Sequence, residues 1–158
     1  LKRRTPHNIV IGGAAGAFPP LIGYAAIANS ISPLAILLFC LIFLWTPPHF
    51  WALALFRNSD YKKAKVPMLP VTDGIAETCK QIIIYTILLV LCTFALFPFG
   101  DFFGPIYIIS AIVLNFRFMQ LAIKVAKKPT KENSMKLFWF SIIYLFALFT
   151  AIMLDYAL

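Results

Sequence analysis

The sequence predicts an all-α fold, a polytopic membrane helical bundle, on three observations. Hydrophobic residues make up 61% of the 158-residue chain and charged residues only 13%, where a soluble domain carries about 25% charged residues. The apolar residues gather into five long runs. Lysines and arginines are almost wholly confined to alternate gaps between those runs. Sixteen Phe, three Trp and six Tyr fit the same class, because aromatics pack bundles and anchor at the lipid–water interface.

A helix crosses a bilayer with roughly 17–25 apolar residues. Five segments meet that length, at about 9–28, 34–56, 81–97, 105–123 and 137–154. The first is rich in small residues, Gly12 to Ala17, which let a neighbouring backbone approach closely. Its Pro19-Pro20 pair removes helix hydrogen bonds and predicts a kink near mid-span. The second carries another pair, Pro47-Pro48, then His49 bracketed by Trp45, Phe50 and Trp51. The connections 29–33 and 98–104 are short; 57–80 and 124–136 are longer and basic.

The basic residues set the orientation. Lys2, Arg3 and Arg4 precede the first span; Arg57, Lys62, Lys63, Lys65 and Lys80 lie between the second and third; Lys124, Lys127, Lys128, Lys131 and Lys136 lie between the fourth and fifth. This positive-inside pattern predicts a cytoplasmic N-terminus and cytoplasmic long loops, with the C-terminus outside the bacterial inner membrane. The net charge of +8 then follows from topology, and no nucleic-acid partner is expected. The three cysteines, Cys40, Cys79 and Cys92, have no metal-ligand spacing and read as packing residues. A start without Met, a basic leader without a cleavage site and an odd number of spans suggest the C-terminal part of a larger bundle.

The stretch 57–80, RNSDYKKAKVPMLPVTDGIAETCK, is a polar island holding half of the six acids, Asp60, Asp73 and Glu77. Long connections without regular structure are uncommon and often functional. A carboxylate such as Asp60 suits Mg²⁺, which keeps several waters and otherwise prefers carboxylates and phosphates. Lys62, Lys63, Lys65 and Arg57 suit phosphate oxygens, and Tyr61 offers a hydrogen bond or a ring face. The plainer account is a topology-setting loop with one helix-capping acid.

Within the spans, ionisable groups are functional candidates by default. His49 falls about 12 Å from Arg57 along a helix axis, placed to contact a ligand's metal or polar edge, or simply to pack. Arg117 is the basic residue lying away from the loops; it either snorkels to the interface or contacts an anionic group. Asn8 and His7 sit at the mouth of the first span.

Three ordered segments carry a resemblance: LKRRTPHNIVIGGAAGAFPPLIGY, LWTPPHFWALALF and DYKKAKVPMLPVTDG. They are similar to consecutive signatures of the heme O synthase (protoheme IX farnesyltransferase) family of UbiA-type membrane prenyltransferases. The similarity runs from Leu1 to about Tyr85, and the last two spans fit by hydropathy alone. The resemblance implies a nine-helix fold of which this chain supplies helices five to nine, together with the second of two aspartate-rich motifs, around Asp60. The first motif is expected in an N-terminal half that would be a partner of this piece; Asp73-x-x-x-Glu77 follows PMLPV and is not that motif. Asn58-Ser59 stand where related enzymes often carry another acid, and Lys65 where they often have Gly.

The implied reaction moves a farnesyl group from farnesyl diphosphate to a vinyl group of heme b, with Mg²⁺ as cofactor. Heme b is substrate rather than cofactor. The resemblance assigns Asp60 to the metal, and Lys62, Lys63 and Arg57 to diphosphate. It places Arg4 and Asn8 at the mouth, and His49, then His7, against heme; Tyr61 and Arg117 stand as further substrate-binding candidates on their own chemistry. The piece alone is expected to be inactive or nearly so. Competing readings are a UbiA-type enzyme acting on a quinone precursor, and a non-enzymatic transporter half or scaffold. The latter gathers polar groups at mid-membrane, whereas here they crowd one edge.

Overall fold

The computed structural model of the chain describes residues 5–99 and 103–157. Its helices run in the order α1 (Asn8–Ala28), α2 (Pro33–Phe56), α3 (Asn58–Lys63), α4 (Leu69–Thr72), α5 (Gly74–Phe94), α6 (Pro105–Lys127) and α7 (Lys131–Ala157). Among the described helices α1, α2, α5, α6 and α7 are long and apolar enough to cross a membrane, and the chain is an integral membrane protein. Side chains such as Ile27 (92% exposed) and Phe146 (76% exposed) lie on outward faces, where lipid solvates them.

Local chemistry explains the boundaries. Ser32 caps α2, its Oγ accepting the Ala35 N–H at 3.1 Å with Pro33 at the first helical position. Asn29 ends α1 in the left-handed region, φ 48°, a role Asn tolerates. Neither proline pair ends its helix: Pro19-Pro20 lie inside α1 and Pro47-Pro48 inside α2. Continuity through proline is common in membrane helices, where neighbouring groups compensate for the lost hydrogen bonds.

The island differs from an irregular connection. Residues 58–63 and 69–72 are helical, and α5 begins at Gly74 rather than near 81. Hydropathy locates the lipid-facing stretch of a helix and misses its polar first turns. Those turns of α5 are held by Glu77, which accepts from Gln81 Nε2 at 2.7 Å, and by Thr78 Oγ1, which donates to the Gly74 carbonyl at 2.8 Å. The α6–α7 connection shrinks to 128–130 for the same reason, since the lysines of 124–136 mostly belong to helix ends.

Packing is between sequence neighbours, α1 on α2, α2 on α5, α5 on α6 and α6 on α7, and α7 returns to α2. Among the described elements α1 packs against α2 alone, so its other face is open. Leu41, Ile82, Leu89, Phe118, Leu137, Tyr144 and Leu148 fill the core. A buried polar chain ties three helices: Tyr144 Oη donates to Asn115 Oδ1 (2.8 Å), and Asn115 Nδ2 donates to Thr93 Oγ1 (2.7 Å). The Thr93 carbonyl accepts from Tyr107 Oη at 3.0 Å.

Alternation of helix direction brings the start of α1, the end of α2, α3, α4, the start of α5 and the α6–α7 turn to one end, the polar end. Asn8 Nδ2 donates to the Pro67 carbonyl there at 3.3 Å. At the opposite end Asp155 accepts the backbone N–H groups of Ile106 (3.2 Å) and Tyr107 (2.6 Å), so α7 caps α6.

Candidate functional site

The site is built where α2 stops. The Arg57 N–H closes α2 on the Leu53 carbonyl at 2.9 Å, and Arg57 is at once the N-cap of α3. In α3 Asp60 falls in the first turn and Lys62 and Lys63 in the last, the order the helix dipole favours. Arg57, Asp60, Lys62 and Lys63 are exposed, while Tyr61 turns inward and is half-buried. Among the described residues the ion pairs are Lys80–Glu77 and Lys136–Glu132, so Arg57, Asp60, Lys62 and Lys63 are not paired with one another. Asp60 has a long contact of 3.5 Å from Ser59 Oγ.

The chain then turns at Lys65, which sits at φ 51°, a backbone state glycine adopts at no steric cost. The PMLP segment that follows is a plug rather than a solvated linker: Met68 and Leu69 are 3% and 4% exposed, and Pro70 is buried. Asn8 holds this plug through Pro67, and its Nδ2 also donates to the Thr5 carbonyl at 2.7 Å. The signal was present in the sequence, as an apolar tetrapeptide inside a polar island.

Between α1 and α2 lies a cavity of about 530 Å³. Asn8, Tyr61 and Met68 line its polar end; Gly12, Gly13, Gly16, Trp45, Thr46 and Phe50 line the rest. The small residues of α1 supply the space. A Cβ on Gly12 or Gly16 would meet nothing within 4 Å, whereas one on Gly13 would come within 2.9 Å of Thr46 Cγ2. Gly13 therefore sets the helix–helix approach, and Gly12 and Gly16 keep the cavity wide. No charged residue among those described lines this chamber, but Tyr61 at its polar end belongs to the helix that carries Lys62 and Lys63, an arrangement that can take an amphipathic substrate whose anionic head stays at the interface.

His49 does not line that cavity. It is 8% exposed and lies between Trp45 (centroids 4.4 Å apart) and Phe138 (4.6 Å), meeting Phe50 edge-on at 5.0 Å. Its Nδ1 is 2.7 Å from Ser141 Oγ, and Trp45 Nε1 donates to the Ser141 carbonyl at 2.8 Å. The histidine thus stands one layer behind the aromatic wall formed by Trp45 and Phe50, joining α2 to α7. Ser141 and Phe138 were beyond sequence reasoning, because their span was read from hydropathy alone.

Two other expected residues stand apart from the α1–α3 group. His7, the exposed N-cap of α1, borders a smaller cavity of about 190 Å³ with Asp73, Glu77, Gln81, Tyr85 and Trp51. Arg117 is on α6, which packs on α5 and α7 only. It is exposed, and its Nη1 donates to Gln120 Oε1 at 3.2 Å, reaching toward the polar end as snorkelling requires. Of the two roles open to Arg117, its exposure fits snorkelling, and it lies on a different face from the α3 charges. Arg4 lies outside the described residues.

For a metal ion the donor set is thin. No group of three or more His, Cys, Asp and Glu among the described residues is arranged to hold one. Mg²⁺ takes one or two carboxylates and fills its remaining positions with waters and phosphate oxygens. Asp60, exposed and without an ion-pair partner among the described residues, fits as one such carboxylate and no more.

Comparison with known proteins places these features in context. The model of the UbiA prenyltransferase family matches residues 1–157. The chain is 50% identical over 161 residues to a protoheme IX farnesyltransferase of Erythrobacter litoralis, covering 98% of this chain and 52% of that protein. It is also 50% identical to the protein of that name from Alcanivorax borkumensis (100% and 52% covered), and 52% identical to that from Nitrobacter hamburgensis (98% and 51%). The chain spans about half the length of these curated relatives. No solved structure matches it.

Proposed function

Because the chain belongs to the UbiA prenyltransferase family, we propose that it forms part of an enzyme that farnesylates heme b to heme O on the cytoplasmic side of a bacterial inner membrane. The observation that carries this reading is the apolar cavity between α1 and α2, closed by Tyr61 and Met68 next to a helix bearing Asp60, Lys62 and Lys63. The names of the relatives, each near 50% identity, supply the acceptor and the prenyl donor.

In this reading the allylic carbon–oxygen bond of farnesyl diphosphate breaks and diphosphate leaves. A vinyl carbon of heme b forms the new carbon–carbon bond, and water supplies the hydroxyl of the product. Lys62, Lys63 and Arg57 bind the diphosphate oxygens and stabilise the charge that grows on them as the bond breaks. Asp60 holds Mg²⁺, which neutralises diphosphate charge when bound. Trp45 and Phe50 offer ring faces to the farnesyl cation and keep water away from it. Asn8 fixes the plug that shapes the mouth. His49 orients Trp45 and Phe50 from behind, and becomes a heme contact only if that wall opens.

With a single carboxylate offered to the metal, the chain alone is expected to give little or no turnover, and an N-terminal half resembling that of its relatives completes the site. The decisive experiment is a chimera in which this chain replaces the matching half of the Alcanivorax borkumensis relative. It is assayed in membranes with heme b, farnesyl diphosphate and Mg²⁺, and products are separated by mass. Heme O is the expected product. A folded chimera that makes none, or that prenylates only a quinone precursor, overturns the reading.

A further inference from the structure

A second cavity, of about 640 Å³, opens on the face shared by α6, α7 and the end of α2. Its polar end carries Lys131, Lys136 and Arg117, and its walls include Phe140 and Ile143 with Trp139 at the rim. We propose that this groove binds one anionic phospholipid, its phosphodiester headgroup on Lys131, Lys136 and Arg117 and one acyl chain along Phe140 and Ile143.

The dimensions match one leaflet. Lys131 to Ile143 spans about 18 Å of helix axis, and half of the hydrocarbon core is about 15 Å thick. Lys131 begins α7 at the polar end, and Arg117, deeper on α6, reaches back toward that end through Gln120. Trp139 is 59% exposed about 12 Å along α7 from Lys131, a depth at which an indole body packs on lipid.

Charge selects the headgroup. Glu132 is the one acid lining the groove, and it pairs with Lys136. Lys131 and Arg117 have no carboxylate partner among the described residues. Three cations against one acid leave an excess of positive charge at the mouth of an otherwise apolar slot. Basic pockets between membrane helices on the cytoplasmic side suit anionic headgroups. Zwitterionic lipid fills the same slot without that match. The site is separate from the α1–α2 cavity, and the inference does not rest on the reading of the latter.

The test uses the chain in neutral detergent with equimolar phosphatidylglycerol and phosphatidylcholine, read by native mass spectrometry. The expected result is retention of phosphatidylglycerol over phosphatidylcholine by about tenfold, lost in Lys131→Gln/Lys136→Gln and reduced in Arg117→Gln. Lys65→Gln/Lys80→Gln removes equal charge elsewhere at the polar end and keeps the preference. Equal retention of both lipids overturns the proposal, as does equal loss in both double variants. Binding of inorganic phosphate at the three cations without lipid retention overturns it too. Unchanged helical circular dichroism identifies the variants as folded.

Discussion

His49 Nδ1 lies 2.7 Å from Ser141 Oγ, a contact that bridges 92 residues of sequence and joins α2 to α7. Ser141 Oγ itself donates to the Phe138 carbonyl at 2.6 Å. Its one proton is thereby used, so Nδ1 of a neutral His49 must be the donor and Nε2 carries the lone pair. Ser141→Ala leaves a buried donor without its acceptor. The expected cost is about 1–2 kcal/mol, seen as a lower unfolding midpoint in detergent. The ¹⁵N signals of His49 shift from the Nδ1–H tautomer toward a mixture. Wild-type tautomer and midpoint in the variant would remove the assignment.

The glycines of α1 make opposite predictions within one helical turn. Gly13→Ala drives a methyl against Thr46 Cγ2 and costs about 1–3 kcal/mol by overpacking. Gly16→Ala points into open cavity and leaves the midpoint unchanged or higher, since Ala outranks Gly in helices by about 1 kcal/mol. Because the offending atom is a methyl of Thr46, adding Thr46→Ser to Gly13→Ala recovers part of the loss. A thermal double-mutant cycle without such coupling contradicts the geometry.

Asn115 is the hinge of the buried polar chain, donating to Thr93 Oγ1 and accepting from Tyr144 Oη. Asn115→Ala breaks both bonds and leaves the Tyr144 hydroxyl without its acceptor, while Thr93 Oγ1 keeps its bond to the Val90 carbonyl; the expected cost is about 2 kcal/mol. Tyr144→Phe removes one bond and costs less. Equal midpoints for Asn115→Ala and wild type argue against the network.

In the chimera described above, Asp60→Ala lowers heme O formation by about 100-fold or more, as loss of a metal-holding or charge-stabilising group does. Removing Mg²⁺ with a chelator brings the unsubstituted chimera to a similar level and changes the Asp60→Ala variant little further. Lys62→Gln/Lys63→Gln raises the KM for farnesyl diphosphate, measured at saturating heme b. Full Mg²⁺-dependent activity of the Asp60→Ala chimera discards the role.

Much of this molecule was legible in its sequence because lipid makes hydropathy a direct readout of burial from water. The five long helices, the basic end and the island around Asp60 followed from that alone. What stayed hidden has a physical reason in each case. The early turns of α5 are helical through Glu77, Gln81 and Thr78, whose polarity hides them from an apolar count. Sequence left Arg117 between snorkelling and an anionic contact, because charge and hydropathy do not tell which face of α6 it occupies; among the described elements α6 packs on α5 and α7 only. His49 stood out as a titratable group in a span, yet its partner Ser141 is an ordinary serine in a run of Phe, Ile and Leu, and only packing reveals the pair. Lys65 is the converse: it stands where the resemblance leads one to expect glycine, and its backbone is left-handed in the structure.

The carboxylate of Asp155, lodged on the first turn of α6 some 49 residues earlier, makes one helix end depend on another. First-turn amides have no acceptor within their own helix, and those of Ile106 and Tyr107 find theirs on a residue near the last turn of α7. The α6–α7 hairpin is thus closed twice, by the short turn at its polar end and by Asp155 at the other, and a chain shortened before Asp155 loses the second closure while keeping the first.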